Sequence, residues 1–317
     1  MRLFHDTNID FLGQRKKFYL VSVIIIAIGM TILFTKGIPL GIDFQGGTEL
    51  QVRFQNTVDI SEIRNIMDQS DMPGMEIKSL GTDKDVLLRT PMQGEGTTVS
   101  DKIQEAFKSK IQNNKYEVLR IDKVGPKIGA ELRKNAMLAV VFSLIGIFIY
   151  LAFRFQFIYA LGAIIALAHD VLITLSAVAI SDFIFPGLRL EFNQQMLAAF
   201  LTLVGFSVND TVIIFDRIRE NIKLFKTEDI EHVMNRSVNA TLSRTIITGG
   251  TVLLTILVLF LFGGEVNRAF SFTFGIGIIT GTYSSVFIAA AVVVDYTHKF
   301  HLKNVVTTKG KTKLAKS

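Results

Sequence analysis

The sequence predicts a polytopic α-helical membrane protein that carries one folded α+β domain between its first and second spans. Three observations predict it. Of the 317 residues 49% are hydrophobic, and the mean hydropathy is +0.41, which is too apolar for a soluble protein of this length. Six segments are apolar over a length that crosses or nearly crosses a bilayer: 18–34, 135–153, 157–180, 194–215, 245–262 and 270–294. The one long stretch between such segments, residues 36–134, is polar and alternates strand-like and helix-like hydrophobic patterns.

The first span follows Arg15-Lys16-Lys17, which resembles the start of a signal peptide. It is followed by Thr35-Lys36-Gly37-Ile38-Pro39, which is no small-x-small cleavage site, so residues 1–35 are expected to be a short N-terminus and a retained anchor. Lys and Arg then set the orientation. With the N-terminus inside, the inside segments 1–17, 154–156, 217–244 and 296–317 hold most of the basic residues outside the long loop. The short outside loops 181–191 and 263–269 carry only Arg189 and Arg268. Tyr19, Tyr150, Tyr159 and Tyr296 fall at the inside ends of their spans, as an aromatic belt would. Both termini are therefore expected in the cytoplasm, with 36–134 on the outer side of the membrane.

Within 36–134, residues 49–54 alternate like a strand, and 59–69 place Ile60, Ile63, Ile66 and Met67 on one helical face. Segments 75–80 and 86–89 read as short strands around the turn Gly81-Thr82-Asp83. A second helix over 99–112 turns Val99, Ile103, Phe107 and Ile111 inward, and 116–121 is a last strand. The order β-α-β-β-α-β is the split βαβ, ferredoxin-like plan.

Residues 135–295 form the five remaining spans. A cytoplasmic amphipathic helix is expected near 227–243, where Ile230, Val233, Met234, Val238 and Leu242 share a face, lying either along the membrane surface or packed beneath the bundle. The tail 296–317 is basic and is expected to meet anionic membrane lipid.

The candidate chemistry lies inside the membrane. Asp210, in the fourth span, and Asp170, in the third, stand in otherwise apolar stretches. An intramembrane carboxylate costs about 2.5–3.5 kcal/mol on insertion scales and marks an ion or proton pathway by default. Ser207, Asp210 and Thr211 share a face of the fourth span; Arg244, Thr248, Thr251 and Thr255 form a polar stripe at the fifth; His169 precedes Asp170. Packed together, these faces would make a buried polar core. Burial favours the protonated form of a carboxylate and a nearby arginine favours the ionised form. A movement of Arg244 against Asp210 would thus couple proton binding to conformation. The same residues also suit a static ion pair. In the sixth span Thr273, Gly277, Gly281, Ser285 and Ala289 recur every four residues, a small-residue ridge for close helix packing.

Other chemistries are excluded or weak. The chain has no cysteine, so disulfides and thiol catalysis are excluded. The net charge of +6 is spread over loops and tail with no aromatic platform for bases, so no nucleic acid partner is expected. Gly310-Lys311-Thr312 lacks the upstream glycine and the strand–helix context of a phosphate-binding loop. His298 and His301 are too few for a metal site, and no cofactor other than protons is expected. The inter-span domain has no histidine for acid–base work, so the chain is not read as an enzyme. Three readings stay open on residues alone: a proton-driven motor, half of a proton-coupled small-molecule or lipid transporter, and a non-conducting scaffold.

Two stretches carry a family resemblance. Gly41-Ile42-Asp43-Phe44-Gln45-Gly46-Gly47-Thr48 resembles the signature that opens the exported domain in the SecD/SecF family of bacterial protein-export proteins, itself related to resistance-nodulation-division transporters. Ser207-Val208-Asn209-Asp210-Thr211, running into Asp216-Arg217-Ile218-Arg219-Glu220-Asn221, is similar to the family's fourth-span motif; Ala168-His169-Asp170 and Ser243-Arg244-Thr245-Ile246-Ile247-Thr248 also match. The resemblance implies a six-span subunit that works with SecD, the SecYEG channel and YajC on a translocating preprotein, driven by the proton-motive force. It implies that Asp210 carries the proton, that Arg244 is its charge partner and that Asp170 belongs to the same relay. Such coupling requires the exported domain to move, and Gly37, Gly41, Gly46 and Gly47 on one side, with Gly125 and Gly129 on the other, are candidate hinges. The competing reading of Gly46-Gly47 is a close backbone approach in the first strand.

Overall fold

Each of the six apolar segments forms a helix long enough to cross a membrane: Leu12–Lys36, Pro126–Arg154, Phe157–Ile184, Gln194–Leu224, Ile230–Phe262 and Asn267–Lys299. The structure, a computed structural model, describes residues 7–72, 75–80, 82–91, 98–111, 114–185, 188 and 190–299. The tail beyond 299, including Gly310-Lys311-Thr312, lies outside the described residues, as do Gly81 and Arg189. The chain divides into two units: one holds the spans, and the other is Pro39–Ala139 together with Glu191–Gln194.

In the helical unit, α1 (Arg15–Lys36) packs on α6 (Phe157–Ile184) where Gly29 meets Ser176; a Cβ at Gly29 would fall 2.2 Å from that of Ser176. α7 (Gln194–Leu224) and α9 (Gly264–Ser284) meet at the predicted small-residue ridge. A Cβ at Gly277 would lie 2.8 Å from Leu203, and one at Gly281 would lie 3.2 Å from Ser207. A one-turn π segment, Ser285–Ala290, follows α9 and leads into α10 (Ala291–Lys299). At one end of the bundle Arg15 bridges Glu231 at 2.7 Å and Asp295 at 2.8 Å, tying α1 to the start of α8 (Ile230–Phe262) and to α10.

Of the two placements open to the amphipathic face near 227–243, the structure shows the one packed on the bundle, and the helix does not end where expected. Its apolar face is real, but α8 runs unbroken from Ile230 through the fifth span, because no proline or glycine interrupts it before Gly249. Val233, Met234 and Val238 pack against Ile218 and Ile222 in the bundle core, so this face covers protein and does not lie on a bilayer surface.

The inter-span unit follows the expected plan. After a short α2 (Ile42–Gln45) come β1 (Gly47–Phe54), α3 (Ile60–Asp68), β2 (Glu76–Ser79), β3 (Asp85–Thr90), α4 (Thr98–Lys110) and β4 (Tyr116–Val124); α5 (Pro126–Arg154) then begins the second span. The sheet order β2-β3-β1-β4, antiparallel throughout, is that of a split βαβ fold. Register puts Leu50 opposite Leu88 and Val52 opposite Val86 on the face covered by the helices. A bulge between Gln51 and Val52 offsets β4. Asp59 caps α3 by accepting from the Ser61 N–H at 2.8 Å. Ile63, Ile66, Met67, Val99, Ile103 and Phe107 close the core, in which the rings of Phe54, Phe107 and Tyr116 meet edge to face or tilted.

On the opposite face Arg53 holds Asp85 through two hydrogen bonds, at 2.6 and 3.0 Å, and lowers the Asp85 carboxyl below its usual range against the opposing effect of burial. A lowered native pKa stabilises the fold above the unfolded value, and that stability is lost as the pH falls through the native one. Arg53→Gln should therefore move acid unfolding of this domain to higher pH, read by hydrogen exchange of the β1 and β3 amides; an unchanged acid midpoint would show that the pair contributes nothing.

Close approach, not hinge freedom, accounts for most of the candidate hinge glycines. Gly47 has φ +129°, and a Cβ there would fall 2.5 Å from the Thr90 carbonyl oxygen. Gly46 (φ +79°) and Gly129 back onto one another's chain at 3.2 Å. Gly37 and Gly125 alone of the set have open space.

Candidate functional site

Two buried carboxylates define the site, and the bundle treats them differently. Asp170 on α6 is fully buried and saturated. Its Oδ2 accepts from Ser207 Oγ of α7 at 2.5 Å and from Ser284 Oγ of α9 at 2.7 Å, while its Oδ1 lies 3.0 Å from His169 Nδ1. Beside a carboxylate the Nδ1 carries the proton. His169 Nε2 then meets the hydroxyls of Ser22, at 2.8 Å on α1, and Tyr283, at 3.0 Å on α9. One network thus ties the first, third, fourth and sixth spans at a single depth, and the close approach at Gly281 is what lets Ser284 and Ser207 reach the same oxygen.

Asp210 on α7 is only 1% exposed, and its Oδ2 has no hydrogen-bond partner. The adjacent Thr211 Oγ1, and Thr245 Oγ1 on α8, are buried and unpartnered as well. Arg244 acts on Asp210 electrostatically, yet it is exposed on α8 and makes no direct ion pair with Asp210 among the described residues. An uncompensated polar atom in a buried setting is rare, because it costs about 1–3 kcal/mol, more if charged. Asp210 is the one carboxylate of the pair whose state is left open by its surroundings.

Ser207 meets Asp170. The sequence-based reading is corrected at one point. The Thr248–Thr251–Thr255 stripe does not join the polar core: Thr251 and Thr255 are exposed and donate to the carbonyls of Thr248 and Thr251 on their own helix, both at 3.0 Å. The face that α8 buries is Thr241, Thr245 and Gly249, one position over. Ser22, Tyr283 and Ser284 were missed; Ser284 stands next to Ser285 of the small-residue ridge, and a helix that presents two adjacent serines can use either.

The glycine-rich signature builds a corner of the inter-span unit. Asp43 Oδ2 accepts from the N–H of Gln194, the first residue of α7, at 3.0 Å, satisfying a donor that a helix start leaves open. Phe44 is buried 5.9 Å from the ring of Phe192, and Thr48 is buried at the start of β1. Gly41, Gly46 and Gly47 supply the close approaches.

Six helices long enough to span a membrane, a ferredoxin-like insert and carboxylates buried within the helices define a class of polytopic membrane protein. Sequence comparison specifies the class. The family described as protein export membrane protein SecD/SecF, C-terminal, matches residues 102–299, and the SecD/SecF GG motif matches residues 31–58. Relatives named protein translocase subunit SecF include those of Calditerrivibrio nitroreducens, 43% identical with 91% of this chain and 94% of the relative covered, and Rhodothermus marinus, 42% identical with 93% and 95% covered. The crystal structure of SecDF from Thermus thermophilus, a translocon-associated membrane protein, superposes with a TM-score of 0.81 at 34% identity; the match covers 92% of this chain and 39% of that one. The chain belongs to the SecD/SecF family of protein-export membrane proteins.

Proposed function

We propose that this chain is an accessory subunit of the Sec pathway that uses the proton-motive force to promote preprotein translocation through SecYEG, with Asp210 as the proton carrier and Arg244 as the charge that biases it. The observation that carries this reading is the contrast between the two acids. Asp170 has three side-chain partners and acts as a joint between four spans, whereas Asp210 is buried with its Oδ2 unpartnered and an arginine acting on it without a direct ion pair. A carboxylate held this way can gain or lose a proton at Oδ2 without breaking a hydrogen bond there.

Partnership with SecD is supported by the Thermus thermophilus structure, in which a chain similar to this one is part of a longer SecDF polypeptide. It is also supported by α5, whose Met137, Phe142, Ile145, Phe148 and Phe153 are exposed. Such a face suits lipid or a second helical half. The distribution of Lys and Arg supports cytoplasmic termini and a periplasmic inter-span domain.

The test is preprotein export into inverted membrane vesicles carrying Asp210→Asn, with and without an imposed proton gradient. Asparagine keeps size and polarity but cannot titrate. Gradient-stimulated export should disappear while assembly and gradient-independent export persist. Intact stimulation would make Asp210 structural and leave the scaffold reading in its place.

A further inference from the structure

Four residues from the loop before the fourth span, Glu191–Gln194, belong to the inter-span domain and not to the helical unit. Several kinds of contact hold them there. Phe192 pairs with Leu40 in a parallel β-bridge: the Gly41 N–H donates to the Phe192 carbonyl at 3.0 Å, and the Phe192 N–H donates to the Pro39 carbonyl at 2.7 Å. The Glu191 carboxylate meets Arg89 of β3 at 2.6 Å, with both side chains only 13% exposed. Arg89 is itself aligned by Glu49 of β1, also at 2.6 Å, and Lys78 of β2 approaches Glu191 at 3.7 Å. Asp43 then accepts from the N–H of Gln194. Gly41 is small because Asn193 lies against it: a Cβ on Gly41 would sit 3.0 Å from that of Asn193.

Gln194 is also the first residue of α7, the helix that carries Asp210 about 24 Å further along at 1.5 Å per residue. The chain thus passes between the domain and the spans at the domain's two ends and again on either side of Glu191–Gln194, the second of these being the start of α7. We propose that Glu191 and Arg89 are positioning residues for coupling, and that the closed clasp they form carries displacement between the domain and the helix that bears Asp210. The proposal rests on the proton-coupled reading above.

The experiment uses the full chain with its partners in inverted vesicles. Glu191→Ala should lower gradient-stimulated export by about 2- to 30-fold, the range that elements of a coupling network carry, and leave gradient-independent export unchanged. Hydrogen-exchange protection of the β1 amides reports whether the domain stays folded. The chain contains no cysteine, so Gly41→Cys with Asn193→Cys creates the one possible disulfide. The 3.0 Å Cβ separation must open by about 0.5–0.8 Å to reach the usual disulfide range. Added to Glu191→Ala, this bridge should restore stimulation when oxidised and lose it again on reduction, which a general loss of stability would not do. Wild-type stimulation in Glu191→Ala, failure of the oxidised bridge to rescue, or a block of export by the bridge in an otherwise unsubstituted chain would each overturn the clasp. Asp210→Asn run in parallel separates the two ideas. If it retains stimulation, the proton-coupled reading fails; if it loses stimulation while Glu191→Ala does not, only the clasp fails.

Discussion

Asp170→Leu should lower the thermal unfolding midpoint of the detergent-solubilised protein sharply, and Asp210→Leu should leave it unchanged or raise it. The two residues are the same chemical group at similar burial, so composition and depth alone predict equal effects. Their surroundings predict opposite ones. Leucine at 170 orphans the Nδ1–H of His169 and the hydroxyls of Ser207 and Ser284. A buried donor without an acceptor costs about 1–3 kcal/mol, and interhelical hydrogen bonds in membranes are worth about 0.6 kcal/mol on average, so a loss of about 2–5 kcal/mol is expected for the three together. Leucine at 210 removes a buried oxygen, Oδ2, that has no hydrogen-bond partner. Removing such a group relieves its desolvation cost, which offsets the extra side-chain volume that leucine brings at either position. Helical circular dichroism against temperature reads both variants. Equal destabilisation by the two would mean that Asp210 is held by the fold as firmly as Asp170, and the contrast on which the proton-carrier assignment stands would be gone. The same pair should separate in export: Asp210→Leu loses gradient stimulation in a well-folded protein, whereas Asp170→Leu loses it along with the protein.

How much of this was legible beforehand depends on the kind of pattern involved. In the inter-span domain the period-two and period-3.6 alternations were unambiguous, because one face of each element meets water. The strands and helices accordingly lie within a few residues of their expected ends, and the sheet order follows from the split βαβ plan. Within the spans that contrast is missing. On α8 the stripes Arg244–Thr248–Thr251 and Thr241–Thr245–Gly249 are equally periodic and equally sparse in charge; only the neighbour at Thr282, against which Gly249 packs, decides which one is buried. The network around Asp170 has the same difficulty, since Ser22 and Tyr283 come from helices far away in sequence and nothing in their own segments marks them. The clasp was illegible for a third reason. Glu191–Gln194 has no secondary structure long enough to show a period, and its placement is set by Arg89, about a hundred residues earlier by chain length.

Phe107→Ala should unfold the inter-span domain while leaving the six spans inserted. Phe107 is fully buried on α4, between Phe54 at the end of β1 and Tyr116 at the start of β4, both rings at 5.4 Å. Truncation removes two edge-to-face contacts and opens a cavity between helix and sheet, which costs about 3–5 kcal/mol for a buried phenylalanine. A domain of this size has a total stability of about 5–15 kcal/mol, so the loss takes much of what there is. Phe107→Leu, which keeps most of the volume, should cost roughly half as much. Hydrogen exchange in the full-length detergent-solubilised protein checks this directly. Protection of Leu50, Val52 and Leu88 should fall together, because they share the core with Phe107, while amides of α6 and α7 keep theirs. If the bundle amides lost protection in step with the sheet, the two units would be one cooperative block, and a domain that transmits force by moving as a body against the spans would be ruled out. If the sheet alone loosens, the domain folds on its own core, and gradient-stimulated export should fail for want of a rigid body to move even though Asp210 is untouched.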